Sequence, residues 1–537
     1  MSNYTRSYII NNITLPINAS HKEAFAVALK KLKQLGVSTG GCQTSVFRRS
    51  IDARKRNDIK FVYSVMVSGD IPEISEERTR AAGITAYSYC DPVFTTGSEA
   101  MDSPIVVVGS GPCGLFAALL LAEAGFKPIL IERGGSVKER QRCIDAFKTT
   151  RVLDTNTNIQ FGAGGAGTFS DGKLITRIND RMSSYVLRRF VEFGAPEEIL
   201  YNAKPHVGTD VLSVVVDRML DRITSLGGQV LYHTELKDFI TSGTRLVKIV
   251  TNNGEIDCSA VILAIGHSAR DTYRRLIEKG CDMIAKPFSV GMRIEHSTDT
   301  IDKGMYGDFA GHPALGHAEY SLSYNTRERG VYSFCMCPGG VVIPAASEEG
   351  GVVVNGMSYH ARNGSNSNSA ICCNVFKEDY GGHPLDAIEY QRKIERAAFT
   401  AGGQNYSAPI ITVGDFLAGR CKNEPTDVIP TYMDGEGVTL ADPDAYLPAK
   451  ITELIRRGIV DFDRKINGFA SPTAVLTGAE TRTSAPLRIV RDADTRLATG
   501  YDNLYPAGEG AGYAGGITSA AIDGIHTAIA LINRYKP

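Results

Sequence analysis

The fold of this chain is decided by the stretch Ile105-Val-Val-Val-Gly-Ser-Gly-Pro-Cys-Gly-Leu-Phe-Ala-Ala118. Its apolar, β-branched start predicts a buried strand, which passes through Gly-x-Gly-x-x-Gly into a helix of small residues. A second short strand, Ile129-Leu-Ile131, then ends on Glu132. This order is typical of a dinucleotide-binding unit, because the helix N-terminus offers free N–H groups to phosphates.

Each glycine of this unit has a predicted role. Gly109 allows the tight turn, Gly111 brings the backbone close to a pyrophosphate, and Gly114 lets the helix pack on the strand. Glu132 is placed to accept hydrogen bonds from a ribose. The candidate cofactor residues of the unit are Gly109, Gly111, Pro112, Cys113, Gly114, Glu132 and Arg133.

A second nucleotide-binding element is predicted near the far end of the chain. Leu504-Tyr-Pro-Ala507 forms a short strand, a glycine loop follows, and a small-residue helix starts at Gly516. In such an element the acid faces the ribityl chain of FAD, and the helix N-terminus stabilises negative charge on the flavin. The apolar run that begins at Ala260 predicts a further strand of the same domain. The candidates here are Gly266, Gly508, Glu509, Gly515, Gly516 and Ile517.

These elements occur in the order that two-part FAD domains require. FAD is therefore the predicted cofactor, with tightly bound NAD as the alternative.

A glycine-rich loop between these elements is the third candidate. Gly162-Ala-Gly-Gly-Ala-Gly167 suits a backbone surface against the flavin ring or a nest of N–H donors for phosphate, the alternative being a flexible turn. Its candidate cofactor residues are Gly164, Gly165, Ala166, Gly167, Thr168 and Ser170. Lys173 is a candidate catalytic residue that contacts the flavin or a substrate anion, and a solvated lysine is the ordinary alternative.

The chain resembles a bacterial family of FAD-dependent dehydrogenases within the two-dinucleotide-binding-domain flavoprotein superfamily. The resemblance covers nearly the whole length and implies the cofactor and the architecture, but no substrate. The segments that carry it are Arg48–Lys55, Phe161–Lys173, Phe334–Gly340, Val354–Ser358, Gly478–Ser484 and Gly508–Gly516.

The predicted fold class is α/β, with three units along the chain. Residues 1–70 indicate a small N-terminal α+β domain, and the polar stretch 71–100 indicates a linker. The Rossmann-like FAD-binding domain is expected to be discontinuous, with parts at 101–285 and 466–537. Residues 286–465 between them predict an inserted, β-rich α+β substrate domain.

Two further residues are candidates for catalysis. Arg482 is suited to clamp a substrate carboxylate, or alternatively to pair with Glu480 and close the domains. Cys337 either faces the flavin or is structural. A Cys-x-Cys is poorly shaped for a disulfide and two thiols do not make a zinc site, so we expect neither a disulfide reductase nor a bound metal. None of His296, His312 and His317 is singled out as an acid or base.

Composition and charge limit the kinds of partner and the cellular location that we expect. The 537 residues carry a net charge of −1, which favours neither nucleic acid nor an anionic membrane as a partner. No signal segment or long apolar run is present, and 11 irregularly spaced cysteines suggest reduced thiols, so a cytoplasmic location is expected. The basic cluster that begins at Arg48 is interpreted as a surface loop, and RNA binding is the alternative.

The sequence thus predicts an FAD-dependent oxidoreductase that transfers hydride between flavin N5 and a small organic substrate. The alternatives are an FAD-dependent RNA-modifying enzyme and a flavin redox sensor without turnover. Between Gly135 and the C-terminal element no second Gly-x-Gly-x-x-Gly follows a convincing strand, so we expect no stable NAD(P)H site. A separate electron donor or acceptor is left open as a partner, and the oligomeric state is left undetermined.

Overall fold

The N-terminal domain is a four-stranded antiparallel sheet in the order β2-β3-β1-β4. The computed structural model describes residues 6–176 and 178–537. Helix α1 begins after Ser20, which forms a capping box with Glu23, and buries Ala24, Ala28 and Leu32. The elements are β1 (Arg6–Pro16), α1 (His21–Gln34), β2 (Gln43–Asp52), β3 (Lys60–Gly69), α2 (Glu76–Ala81) and β4 (Ile84–Tyr87).

This domain extends further along the chain than the sequence indicates. Residues 71–100 are predicted as a linker, yet they contain α2 and β4, and β4 pairs with β1 through Ile84–Tyr87. The polar composition of this stretch conceals the strand, because β4 lies at the edge of the sheet and has only one buried residue, Ile84.

The first part of the nucleotide-binding domain follows. Its strand β5 is buried along its whole length, as expected for the centre of a parallel sheet that is covered on both faces. The elements are β5 (Ile105–Val108), α3 (Pro112–Glu123), β6 (Ile129–Ile131), α4 (Val137–Thr150), α5 (Met182–Glu192), α6 (Thr209–Ser225), β7 (Gln229–Leu231), β8 (Leu236–Ser242), β9 (Arg245–Thr251), β10 (Gly254–Asp257), β11 (Ala260–Leu263), α7 (Arg270–Glu278) and β12 (Met283–Ala285).

An inserted domain interrupts the nucleotide-binding domain. It is built on a seven-stranded sheet in the order β14-β15-β18-β13-β21-β19-β20. Its elements are β13 (Phe288–Ser297), α8 (Thr298–Tyr306), β14 (Ser323–Asn325), β15 (Gly330–Cys337), β16 (Val341–Pro344), β17 (Val354–Met357), β18 (Asn366–Val375), α9 (Lys377–Tyr380), α10 (Pro384–Ala401), β19 (Ala408–Thr412), α11 (Val413–Ala418), β20 (Val438–Leu440), α12 (Ala449–Lys465) and β21 (Val475–Glu480).

The chain then returns to complete the nucleotide-binding domain. The last elements are β22 (Leu487–Ile489), β23 (Leu504–Pro506) and α13 (Ile517–Arg534). Strand β23 pairs in parallel with β11, which gives a five-stranded parallel sheet in the order β23-β11-β5-β6-β7. Helix α13 packs so closely on α3 that a Cβ at Gly524 would overlap the carbonyl oxygen of Cys113.

The predicted fold class is confirmed, and one boundary is placed differently. The sequence predicts that the second part of the nucleotide-binding domain begins at residue 466. In the structure β21 belongs to the inserted sheet, because it pairs with β13 on one side and β19 on the other. The return to the nucleotide-binding domain therefore follows Glu480.

Candidate cofactor site and substrate cleft

The glycines of the first turn differ in what surrounds them. Gly109 has a φ of 98°, which disfavours any side chain, and a Cβ at Gly114 would overlap the Gly109 carbonyl oxygen. Gly111 has an ordinary φ of −64°, and the nearest atom to a Cβ there would be the Cα of Gly165, 3.9 Å away. Gly111 therefore faces an open cleft, as a residue beside a pyrophosphate must.

Glu132 joins this turn to the glycine-rich loop. Its Oε2 accepts hydrogen bonds from the backbone N of Ser110 (2.9 Å) and from the Ser110 hydroxyl (2.6 Å). Its Oε1 accepts from the backbone N of Gly134 (3.1 Å) and of Gly162 (2.9 Å). The buried carboxylate thus fixes the end of β6 beside the cleft, and its contact with a ribose stays a prediction.

Arg140 holds the glycine-rich loop in place. Its side chain is fully buried on α4, and burial lowers its pKa to about 10. The guanidinium also stacks on Phe169, with 4.6 Å between its Cζ and the ring centroid. It donates to five carbonyl oxygens, those of Asn158 (3.1 Å), Ile159 (3.0 Å), Gly162 (3.3 Å), Ala163 (2.6 Å) and Gly165 (3.0 Å).

Sequence reasoning missed Arg140, although a signal was present. The buried residues of α4 are Val137, Arg140, Ile144 and Phe147, so the arginine occupies a position on an otherwise apolar helix face. A charged residue on such a face indicates a buried polar partner, here the loop carbonyls.

The C-terminal element supplies an acid and a helix N-terminus to the same cleft. Glu509 lines the cleft after β23, and burial raises the pKa of its carboxyl to about 7, an effect that Lys286 partly opposes. Helix α13 begins at Ile517 after Gly516, and both residues line the cleft. An 18-residue helix directs a partial positive charge at whatever binds there.

Most of the predicted cofactor residues meet around this one cleft. Gly114, Gly164, Thr168 and Gly508 lie outside its lining; a Cβ at Gly508 would lie 2.7 Å from the Cβ of Cys113. The lining includes Gly109, Gly111, Pro112, Cys113, Glu132, Arg133, Gly165, Ala166, Gly167, Ser170, Gly266, Glu509, Gly515, Gly516 and Ile517.

Lys173 lines the cleft next to a buried carboxylate. Its Nζ lies 2.6 Å from Oδ2 of Asp171, and this oxygen also accepts a hydrogen bond from Arg362 (2.7 Å). The other carboxylate oxygen of Asp171, Oδ1, accepts from the Ser358 hydroxyl (2.5 Å). Burial opposes the charge on Lys173, but Asp171 and Glu319 outweigh it and raise the pKa of the ammonium. Lys173 therefore carries a positive charge at neutral pH.

Arg482 lines the cleft, but its guanidinium is already paired with a residue other than Glu480. Its guanidinium bonds to buried Glu395 (3.1 and 3.2 Å) and to the hydroxyls of Ser268 (3.0 Å) and Ser347 (2.5 Å). Glu480 is instead held by Arg293 through two contacts of 2.9 Å. The alternative Glu480–Arg482 pair is therefore not formed, because Glu480 at the end of β21 pairs with Arg293 of β13, and Arg482, beyond the strand, pairs with Glu395 of α10.

The structure places a different cysteine in the cleft. Cys337 is fully buried and does not line it, whereas Cys335, two residues earlier, does. A register shift between β15 and β18, from Phe334 to Cys337, changes which side chains face the cleft.

A histidine that is not among the residues predicted from the sequence also lines the cleft. His267 follows Gly266 after β11, and burial, together with Arg482 and Arg270, lowers its pKa to about 3, so its ring is neutral. His296, by contrast, is buried against Phe469 away from the cleft, with its Nε2 at 2.7 Å from the Phe469 carbonyl oxygen. The sequence signal for His267 was its position directly after Ala264-Ile-Gly266, at the end of a strand that leads to the cofactor site.

Two general properties bear on the kind of site this is. Within residues 6–176 and 178–537, no group of three or more His, Cys, Asp or Glu residues is arranged to hold a metal ion. Over the same part of the chain, no helix is long and apolar enough to span a bilayer.

FAD fits this site, because the open side of Gly111, the loop held by Arg140 and the N-terminus of α13 all face one cleft. Three family models match the chain. Residues 102–155 match "FAD binding domain", 287–483 match "FAD-dependent protein, C-terminal domain-like", and 8–68 match a domain of unknown function. Fold, site and family models define an FAD-dependent oxidoreductase, and the predicted cofactor is confirmed.

A protein of Clostridium beijerinckii, described as "Uncharacterized protein", is 45% identical over 532 residues, which cover 98% of each chain. The chain belongs to the same family, that of uncharacterised FAD-dependent oxidoreductases. A digeranylgeranylglycerophospholipid reductase of Methanocaldococcus jannaschii is 32% identical over 89 residues, 16% of this chain and 23% of that protein.

Solved structures resemble this fold only loosely. A geranylgeranyl bacteriochlorophyll reductase-like protein of Thermoplasma acidophilum has a TM-score of 0.34 at 13% identity, with 80% of this chain and 78% of that chain covered. Glycine oxidase of Bacillus cereus has a TM-score of 0.32 at 10% identity, with 80% and 95% covered. At these scores neither adds to the assignment.

Proposed function

We propose that this protein oxidises or reduces a small organic substrate that binds between the nucleotide-binding domain and the inserted domain. FAD, when bound, supplies the chemistry, by accepting or donating a hydride at its flavin ring. The chain supplies the position of the substrate and the charges around it.

One observation carries this proposal: two domains form the walls of a single cleft. Gly111, Gly165 and Ile517 line it from the nucleotide-binding domain, and Asn355 and Glu480 line it from the inserted domain. Substrate sites commonly occupy such domain boundaries, where a few polar groups converge in a largely enclosed space.

The charged groups on the inserted side are held in fixed positions. Arg293 is fully buried and grips Glu480 with two nitrogens, and it also donates to Asn355 Oδ1 (3.2 Å). Side chains that are locked in this way orient a substrate without reorganising when it binds. Glu480 thus offers carboxylate oxygens as acceptors to hydroxyl or amine groups of the substrate, whereas Asn355, whose Oδ1 also accepts from the Gly356 N (2.8 Å), offers its Nδ2 as a donor.

Lys173 and His267 have different roles in this proposal. The charged ammonium of Lys173 binds a carbonyl or carboxylate oxygen of the substrate and donates to it. The neutral ring of His267 offers one nitrogen as a hydrogen-bond acceptor to the substrate, and its lowered pKa keeps the ring uncharged while it does so. Arg482 is a positioning residue, since its donors are occupied by Glu395 and two serines.

The test is to find small molecules that bleach the visible flavin absorption under anaerobic conditions. We expect a hydroxy or amino acid or a related polar donor to reduce the flavin with saturating kinetics. Lys173→Met should raise KM at least tenfold, and Lys22→Met, an exposed lysine of α1, should leave it unchanged. If a donor reduces the flavin of both variants with the same KM, Lys173 does not bind the substrate.

The electron donor is tested separately. Between Gly135 and the C-terminal FAD element, no Gly-x-Gly-x-x-Gly opens a helix directly after a buried strand, so we expect no saturation of flavin reduction by NADH or NADPH at micromolar concentration in stopped-flow measurements. Fast, saturable reduction in that range would place a nicotinamide site on this protein.

A further inference from the structure

Strand β15 contains two cysteines, Cys335 and Cys337, in an irregular part of the sheet. In a regular strand, residues two apart point to the same face and lie about 6.6 Å apart, near the upper limit for a disulfide. Here the pairing with β18 is interrupted between Phe334 and Cys337, and Cys335 has a φ of 44°. Bulges of this kind redirect side chains next to functional sites.

The bulge separates the two thiols by their access to the cleft. Cys335 lines the cleft, and Cys337 is fully buried behind it. The Sγ of Cys337 lies 3.3 Å from the Cys335 carbonyl oxygen, so the enclosed thiol lies against the backbone of the residue that carries the accessible one. The two thiols therefore belong to one short irregular segment, and one lines the cleft while the other is enclosed.

Two cations lie close to the segment that carries the two thiols. Arg293 donates to the Cys335 carbonyl oxygen (3.0 Å) and lies 4.0 Å from Cys337 Sγ, and Lys173 contributes a second positive charge. The hydrogen bond from Cys337, opposed by burial and supported by these cations, lowers the pKa of Cys335 to about 7. The same contact and burial raise the pKa of Cys337 well above its usual value.

We propose that Cys335 and Cys337 form a redox-active thiol pair in the wall of the cleft, which reduces small organic disulfides; this departs from the expectation drawn from the Cys-x-Cys spacing, because the strand is irregular between the two residues. An accessible, low-pKa thiol next to a buried thiol is the arrangement of a nucleophilic and a resolving cysteine. This inference does not depend on the proposed function, because both thiols belong to the inserted domain and their exchange requires no group other than the disulfide.

The exchange balances in two steps. The Cys335 thiolate attacks one sulfur of R–S–S–R, which forms a mixed disulfide at Cys335 and releases R–S⁻. Cys337 then loses its proton and attacks the Cys335 sulfur, so that the second R–S⁻ leaves and the Cys335–Cys337 disulfide forms. The pair loses two electrons, and the two leaving thiolates take up the two protons that the thiols lost.

Three other cysteines, two in the inserted domain and one in the nucleotide-binding domain, serve as internal references. Cys372 and Cys373 are adjacent on β18, both are buried, and burial raises the pKa of each thiol. Cys143 on α4 is half-buried, and burial raises its pKa as well. None of the three combines access to the cleft with a neighbouring thiol donor.

The experiment uses the reduced, FAD-containing protein and bis(2-hydroxyethyl) disulfide, a compact neutral probe. After treatment, free thiols are alkylated with iodoacetamide and the peptides are analysed by mass spectrometry. We expect the Cys335–Cys337 peptide to lose two mass units, and untreated Cys335 to be alkylated at least tenfold faster than Cys143.

Substitutions separate the two roles. Cys337→Ser should accumulate a stable 2-hydroxyethyl mixed disulfide on Cys335, Cys335→Ser should form neither product, and Cys372→Ser should behave as the wild type. Retained visible flavin absorption shows that each variant is folded. Absence of the internal disulfide in the wild type, or a Cys335 no more reactive than Cys143, would overturn the proposal whether or not the flavin reacts with any donor.

Discussion

At the residue scale, Gly111 differs from Gly109 because its backbone conformation does not require glycine, whereas the open space beside it does. Its φ of −64° is accessible to any residue, and a Cβ there would meet no protein atom closer than 3.9 Å. We expect Gly111→Val to fold normally and to lose FAD, since the valine occupies the space beside the pyrophosphate. Equilibrium dialysis measures the FAD affinity, and circular dichroism checks the fold.

Substitutions at two further glycines serve as controls for this prediction. Gly109→Val should fail to fold, because Gly109 has a φ of 98° and a Cβ would overlap the Ala264 carbonyl oxygen. Gly382→Val, with open space around it, should match the wild type. Wild-type FAD affinity in Gly111→Val would show that the phosphates bind elsewhere.

Glu509 gives a prediction about pH. Burial raises the pKa of its carboxyl from 4.5 to about 7, so between these values the folded state holds a proton that the unfolded state has lost. This contribution to stability is complete below about pH 4.5 and is lost as the pH rises through 7. In protein stripped of FAD, the unfolding free energy of the wild type relative to Glu509→Gln should fall by about 2 kcal/mol from pH 5 to pH 8.

Chemical denaturation at the two pH values measures this difference. Glu424→Gln, at an exposed glutamate, is the control and should show no pH-dependent difference from the wild type. A Glu509→Gln difference that stays constant between pH 5 and pH 8 would mean that the carboxyl is not buried when FAD is removed.

At the scale of the element, α4 acts through one side chain on the glycine-rich loop. Arg140→Met removes five hydrogen bonds and leaves buried carbonyl oxygens unpaired, at a cost of about 1–3 kcal/mol for each one that finds no other partner. We expect the loop to loosen, the unfolding temperature to fall by several degrees, and FAD to dissociate at least tenfold faster. Flavin fluorescence during a thermal ramp reports the release.

The same helix provides the control for this change. Arg142 is exposed, two residues further along α4, and Arg142→Met should release FAD at the wild-type temperature. Equal release temperatures for the two variants would assign the stability of the loop to Glu132 and the turn, and not to Arg140.

At the scale of the whole molecule, the N-terminal domain is joined to the rest of the chain but lies outside the cofactor cleft. Arg49 on β2 bonds to the 201–203 segment through its backbone N (2.7 Å to the Tyr201 carbonyl oxygen) and its carbonyl oxygen (2.9 Å from the Ala203 N). None of residues 6–87, the described part of this domain, lines the cleft. We expect a protein truncated to residues 88–537 to bind FAD while it unfolds at a lower temperature than the full chain.

The position of the cut matters. Removal of residues 1–70 alone should also leave FAD bound, but it removes β1 and leaves β4 with an unpaired edge, so this form should aggregate more readily. Light scattering compares the two truncated forms. A folded 88–537 protein that does not take up FAD would show that the N-terminal domain shapes the cofactor site.

The sequence by itself determined the nucleotide-binding fold, the cofactor and most of the residues around it. These depend on local patterns: a glycine motif between a strand and a helix, an acid at a strand end, and a helix that opens on glycine. Gly109 and Gly111 lie within one turn and Glu132 directly follows the next strand, so their positions beside the cleft can be inferred from spacing alone.

The tertiary structure alone decided which polar side chains face the cleft and which are already paired. Glu480 and Arg482 are two residues apart, yet they pair with Arg293 and Glu395, which the sequence places 187 and 87 residues away. The choice of Cys335 over Cys337 depends on a shift in the pairing of β15 with β18. Periodicity does not predict such features, because a one-residue irregularity reverses which face a side chain occupies and long-range partners leave no local pattern.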